Sequence, residues 1–239
     1  MNHFLQRTEL LIKEKGIKTL KNANILVVCI GGVGSYAAEA LVRAGIGNIT
    51  IVDGDTIDKT NINRQLLALN STIGQSKTAV LKNRLLDINP ELNITTIATF
   101  QNPDEIAALI DPKYDWVVDC IDSIQPKINM LVAAKRKHIK IVSAMGAGGK
   151  MDISKVKVTD IHNTKQCLLA RKIRKELNKK GVHKGIRAVY STEAQDLSSL
   201  ALTDGSDYKR SYYGTISYMP AVFGLYAAAE VIKYLLKDS

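Results

Sequence analysis

The sequence predicts an α/β fold with a mainly parallel sheet, flanking helices and a mixed C-terminal extension, and three observations carry that prediction. Short apolar or β-branched runs occur at residues 25–30, 49–52, 94–97, 116–119 and 139–142. Helical patterns at 37–44, 77–89, 104–110 and 127–137 alternate with them. The first run passes directly into glycines and then into the first helical stretch, which Gly45 ends. Strands separated by helices need crossover connections, and a crossover brings the chain back to pair in parallel.

Gly32-Val33-Gly34-Ser35-Tyr36-Ala37 fills the turn between the first strand and helix with a G-x-G-x-x-A pattern, the mark of a Rossmann-like unit in that context. Glycines let the backbone approach a phosphate, and the helix N-terminus adds unpaired amides and partial positive charge. A tight structural turn without a ligand is the plain alternative. Asp53, closing the second strand, stands where an acidic side chain takes the ribose hydroxyls of NAD or of adenosine. Arg64 and Lys77 follow, two cations able to neutralise a triphosphate and the charge that develops as its α-phosphate is attacked. A hydride-transfer site has no use for them.

After Gly146-Ala-Gly-Gly149 the alternation changes to a strand at 156–159, a basic helix at 168–180 and a strand at 187–190. Residues 195–215 lack periodicity and are expected to form a mobile loop. The closing stretch, 219–236, is apolar but broken by Glu230 and Lys233, which suits a core helix better than a bilayer span. Peripheral membrane association through it is not favoured. One domain is expected over 1–239, with a nucleotide-binding core at 1–150 and an extension at 151–239 that carries the basic helix and the loop.

A chain of 239 residues with 46% hydrophobic composition can bury a full core. Its three cysteines, Cys29, Cys120 and Cys167, are widely spaced and form no C-x-x-C pair, so neither a disulfide framework nor a thiolate zinc site is expected. No secretory signal is read at the start, and the cytoplasm is the expected compartment. A net charge of +10 favours a polyanionic partner, though a solvated basic surface gives the same count. Arg171, Lys172, Arg174 and Lys175 crowd one short helix whose Ile173 and Leu177 lie four apart, so a tRNA backbone could dock on its charged face. His183, Lys184 and Arg187 extend the same patch.

In order along the chain, Ile30-Gly-Gly-Val-Gly-Ser35, Asp53-Gly-Asp55, Asn61-Ile-Asn-Arg-Gln65, Lys77 and Val118-Asp-Cys-Ile-Asp-Ser123 resemble the ubiquitin-activating-like ThiF/MoeB superfamily over residues 7–150. Arg7-Thr-Glu-Leu-Leu-Ile12, Asp122-Ser-Ile-Gln-Pro-Lys127, Gly146–Gly149 and Ser191-Thr-Glu193 are similar to its tRNA threonylcarbamoyladenosine dehydratase branch, over nearly the whole chain. The resemblance implies an enzyme that adenylates the threonyl carboxylate of threonylcarbamoyladenosine in tRNA, releasing pyrophosphate, before the ureido nitrogen closes a ring and AMP departs. It further implies that Gly32 and Gly34 cradle phosphate and that Asp53 binds ribose. Asp55, Asn61, Arg64, Gln65 and Lys77 would then hold ATP, and Asp122 would anchor Mg²⁺. Arg7 would reach ATP from the neighbouring subunit, which makes the enzyme a homodimer, with Arg64, Lys77, Asp122 and Arg7 as its catalytic set. Carbonyls around Gly146–Gly149 are a candidate seat for a monovalent cation.

Several of these residues have plainer readings. Asp122 could cap the helix beginning near Ser123, Asn61 and Asn63 could be turn residues, and Arg7 could be a solvated charge. Cys29 replaces a glycine usual in the superfamily, and the zinc-binding pairs of many sulfur-transfer members are missing, which weighs against a ThiF-like or MoeB-like role. The alternative enzyme would adenylate the C-terminus of a ubiquitin-like or sulfur-carrier protein, with Cys167 as the candidate thioester nucleophile; a buried core cysteine is the favoured reading. Arg210-Ser-Tyr-Tyr-Gly214 has no cysteine, which argues against a sulfur-relay partner. A non-catalytic sensor of nucleotide or tRNA is a third reading, and NAD-dependent oxidoreduction ranks below it.

Overall fold

The computed structural model describes residues 3–99, 102–202 and 211–237. Seven strands form one sheet in the order β3-β2-β1-β4-β5-β7-β6. They are β1 (Asn24–Val28), β2 (Asn48–Val52), β3 (Asn93–Ile97), β4 (Trp116–Asp119), β5 (Lys140–Ala144), β6 (Val156–Asp160) and β7 (Arg187–Ser191). Every pairing is parallel except that of β6 with β7. The mixed end of the sheet therefore comes from the C-terminal extension, as expected, but β7 inserts between β5 and β6 instead of following β6 outward.

Alternation within each strand divides the core in two. Ile25 and Val27 of β1 join a cluster that contains Leu41, Ile51, Val118 and Phe223, whereas Leu26 and Val28 join Val117, Leu131, Ile173 and Leu177. Helices α2 (Gly34–Ala44), α3 (Lys77–Ile88) and α7 (Tyr218–Leu235) thus cover one face of the sheet. Helices α4 (Pro103–Ala108), α5 (Ile124–Arg136) and α6 (Leu168–Lys179) cover the other. Strands buried on both faces read as unbroken apolar runs, which is why β1 and β4 were legible.

Two features depart from expectation. Helix α1 (Gln6–Asn22) precedes the sheet, with a break at Lys13, whose φ of 62° lies in the left-handed region. Within the stretch expected to be a mobile loop, β8 (Leu200–Leu202) pairs antiparallel with β9 (Ser211–Tyr213), and residues 203–210 lie outside the described residues. Backbone pairing orders these two segments although their side chains show no burial pattern: Leu200 and Leu202 are exposed.

Helix α7 packs directly on α2. A Cβ at Gly224 would lie 2.4 Å from the Val33 carbonyl oxygen and 3.0 Å from the Ala37 nitrogen, so the helices touch backbone to backbone. Met219, Phe223, Ala227 and Val231 of α7 are fully buried in the core. Among the described residues no helix is long and apolar enough to cross a membrane. Gly224→Ala is expected to destabilise by about 2 kcal/mol through overpacking, lowering Tm by roughly 4–8 °C in a thermal melt. An unchanged Tm would mean that the two helices can separate without cost.

Candidate active site

The strand order reverses between β1 and β4, so the loops leaving their carboxyl ends part and open a crevice, the place where doubly wound sheets bind ligands. Cys29 leaves β1 with φ +70°, its N–H donating to the Val52 carbonyl at 2.8 Å. This left-handed turn is where a glycine would sit without strain. The chain then doubles back so tightly that a Cβ on Gly34 would stand 2.0 Å from the Cys29 oxygen. On Gly32 a Cβ would approach Pro220 of α7 at 3.1 Å and the Arg64 carbonyl oxygen at 3.3 Å. No side chain caps α2; within its first turn the Ser35 N–H donates to the Gly31 carbonyl at 3.2 Å and the Ala37 N–H to the Val33 carbonyl at 3.1 Å, so backbone carbonyls of the glycine turn hold that end of the helix.

Asp53 is buried, 7% exposed, just past β2. Its carboxylate accepts hydrogen bonds from the Ile30 N–H at 2.8 Å and the Asp55 N–H at 2.9 Å, which ties the glycine loop to the neighbouring strand end. Burial raises its pKa, while the Lys77 charge and these two N–H donors oppose the rise. Lys77 opens α3 with its ammonium 2.5 Å from Asp55 Oδ2 and 3.9 Å from Asp53 Oδ1. Burial disfavours that charge, but the two carboxylates outweigh it and hold the pKa above the usual lysine value. A cation at a helix N-terminus is poorly placed for the dipole. It stays because two acids hold it, and a polyphosphate in the crevice would compete with them for it.

The segment between Asp55 and Lys77 closes on itself through a bridge between Thr56 and Ser76. Within it, Arg64 Nη1 donates to the Thr60 carbonyl and to Asn63 Oδ1, each at 2.9 Å. Asn63 Nδ2 donates to the Thr215 carbonyl at 3.0 Å, and Asn61 completes a capping box with Asp58. Asn61 thus has a local turn role, whereas Asn63 ties this segment to the stretch before α7. Gln65 lies against the glycine loop, 3.6 Å from where a Gly31 Cβ would be, and its Oε1 is buried without a partner. An orphaned acceptor beside a glycine cradle fits a nucleotide, whose ribose and base carry donors.

Asp122 is exposed at the carboxyl end of β4. The N-cap of α5 falls on Ser123, so Asp122 stands one residue outside the helix and is not its cap. Beneath it lies an arrangement that sequence reasoning missed. Asp119 and Lys127, both fully buried, form an ion pair at 2.7 Å. Asp119 also accepts from the Ile121 N–H at 3.0 Å and Ser143 Oγ at 2.6 Å, and Lys127 donates to the Ile121 carbonyl at 2.8 Å. This network clamps the loop that presents Asp122. Its one sequence trace was Asp122-Ser-Ile-Gln-Pro-Lys127, and nothing in that string separates a buried lysine from a surface one.

The crevice thus gathers Gly32, Gly34, Asp53, Asp55, Arg64, Gln65, Lys77 and Asp122. Arg7 stands apart: it is exposed on α1, and no hydrogen bond or ion pair among the described residues joins it to the crevice. On α6, Arg171, Lys172 and Lys175 are exposed, but Arg174 donates to the Thr164 carbonyl at 2.9 Å and to its hydroxyl, so it fastens the helix. Cys167 is buried at the N-cap of α6, accepting from the Ala170 N–H at 3.5 Å. Burial pushes the Cys29 and Cys120 thiols well up, which suppresses their thiolates. The Gly148 carbonyl accepts from Gln195 and the Gly149 carbonyl from the Asp196 N–H.

A parallel sheet that presents a glycine turn, two acidic strand ends and a buried lysine to one crevice defines an α/β nucleotide-binding protein. The chain belongs to the ThiF family, whose profile matches residues 5–239. It is 37% identical to the tRNA threonylcarbamoyladenosine dehydratase of Bacillus subtilis over 100% of this chain and 96% of that relative. The Escherichia coli molybdopterin-synthase adenylyltransferase is 34% identical over only 57% of this chain and 54% of its own length. Among solved structures, the Escherichia coli tRNA N6-threonylcarbamoyladenosine dehydratase in complex with ATP superposes with a TM-score of 0.88 at 37% identity, covering 99% of this chain and 96% of that one.

Proposed function

We propose that this protein uses ATP to cyclise N6-threonylcarbamoyladenosine in tRNA through an acyl-adenylate, releasing pyrophosphate and AMP. The observation that carries the reading is likeness to the dehydratases along the full chain, extension included, where the molybdopterin-synthase adenylyltransferase matches little more than half. In this reading the threonyl carboxylate attacks the α-phosphorus of ATP and pyrophosphate leaves. The ureido nitrogen then attacks the activated acyl carbon, loses its proton and expels AMP. Net, one water is removed and its elements end in AMP and pyrophosphate.

The residues divide the work by position. Gly32 and Gly34 admit the phosphates, and Asp53 and Gln65 offer acceptors to the ribose side. Lys77 and Arg64 turn from their internal partners to the polyphosphate and the charge that grows on it during attack. Asp122, with the phosphate oxygens, would hold Mg²⁺, which suits an ion that takes one or two carboxylates and completes its shell from substrate and water. That ion would supply charge neutralisation at the phosphates. Arg7 would complete the site of a second subunit in a homodimer, a reading supported by Leu10 and Leu11 beside it, 72% and 82% exposed.

The test is incubation with ATP, Mg²⁺ and tRNA that carries threonylcarbamoyladenosine, followed by gentle digestion and mass spectrometry. A nucleoside one water lighter, formed only with ATP, is the expected product. Its absence, with AMP appearing when a ubiquitin-like protein is supplied, would move the chain to the protein-activating enzymes. The burial of Cys167 speaks against that outcome.

A further inference from the structure

A second charged feature lies at the opposite end of the sheet, away from the crevice. Trp116 and Lys140 begin β4 and β5 and stand side by side in register. With Lys135, His138, Arg187 and Tyr234 they line a cleft of about 300 Å³. The strands between this cleft and the crevice are five residues or fewer, so the two are roughly 17 Å apart along the sheet.

The cleft is cationic and incompletely satisfied. Lys140 lies over the Tyr234 ring, 3.8 Å from its centroid, and donates to the Tyr234 hydroxyl; Lys237 approaches the same ring at 5.5 Å. These partners are neutral, and no salt bridge among the described residues neutralises Lys135, Lys140 or Lys237. Glu230, an acid beside the cleft, is paired with Arg187 at 2.5 Å. Trp116 is 2% exposed and its indole N–H has no acceptor, though indole is a donor only and buried donors are normally paired.

The basic face of α6 leads to this cleft. The helix begins beside the crevice, where its Leu169 is the nearest neighbour of a Cβ on Gly146, and its twelve residues extend roughly 18 Å. Exposed Arg171, Lys172 and Lys175 mark that path, Lys179 being paired with Glu176 at 2.7 Å, and exposed His183 and Lys184 continue it. At Gly185 a Cβ would meet the Lys135 ammonium at 2.5 Å, so the path arrives at the cleft.

We propose that the amino end of the sheet is a second RNA contact, in which the cleft takes backbone phosphates of the tRNA at a distance from the nucleoside being modified. This rests on the tRNA reading above. A small anion would need one cluster of donors, whereas a cationic path joining two ends of a sheet matches a polyanion whose charges repeat along its length.

Trp116 is the one tryptophan in the sequence, so fluorescence excited at the red edge, where the nine tyrosines absorb little, reports this cleft. Titration with tRNA should change that fluorescence saturably. The Lys135→Gln/Lys140→Gln variant should bind tRNA about tenfold more weakly, with a log–log salt slope shallower by about 1–2, while ATP affinity and circular dichroism stay at wild-type values. Unchanged tRNA affinity and slope in the variant, or fluorescence that ignores tRNA but follows inorganic phosphate, would overturn the proposal. If wild type makes the dehydrated nucleoside and the variant binds tRNA equally well, only the second contact is lost. If wild type neither binds tRNA nor yields the product, the function falls with it.

Discussion

Lys127→Ala is expected to destabilise the protein by roughly 3–5 kcal/mol, because it leaves the Asp119 carboxylate charged and uncompensated in a fully buried site. Lys127 lies on α5 and reaches back to the Ile121 carbonyl, while Asp119 holds the Ile121 N–H and Ser143. Loss of the ammonium therefore loosens the loop before Asp122 as well as the core. Thermal melts should show Tm lower by about 10 °C. Asp119→Asn added to Lys127→Met should recover a large share of that loss, since the amide still accepts from Ile121 and no charge is stranded. A single variant that melts with wild type would show that the pair contributes little.

Asp122→Ala should reduce AMP formation at least about a thousandfold while tRNA affinity stays within a few-fold of wild type. The residue is exposed at the crevice and lies outside the α5 cap, so its removal costs the fold little. The measurement is single-turnover AMP release beside tRNA binding on the same preparation. Turnover within tenfold of wild type would take Asp122 out of the reaction.

What could be read in the sequence was whatever leaves a short-range pattern. The alternation of β-branched runs and helical stretches yielded the parallel sheet, and Gly32 and Gly34 located the tight turn between β1 and α2, where the backbone at Gly34 admits no Cβ. Helix α1 was missed because it hides its period: Leu10 and Leu11 are exposed, Gly16 sits inside it, and it breaks at Lys13. The hairpin of β8 and β9 rests on backbone pairing, which side-chain patterns do not announce. Insertion of β7 between β5 and β6 is a matter of topology, invisible to local propensity. Among site residues, Asp53 and Lys77 could be named individually, yet their contact through Asp55 needs the folded chain, as does the partnership of Asp119 with Lys127. Arg174 shows the converse, a charge that looked available and is committed to Thr164.

The contact of Pro220 and Gly224 with the glycine turn also has a bearing on biosynthesis. As the polypeptide emerges from the ribosome, β1 and α2 appear early, but the side of α2 that packs on α7 has no cover until α7 follows some 180 residues later. During that interval a nascent chain has its glycine turn without the support that shapes it, and exposes the surface that α7 will bury. Nucleotide binding and resistance to proteolysis should therefore appear together, and late, in translation.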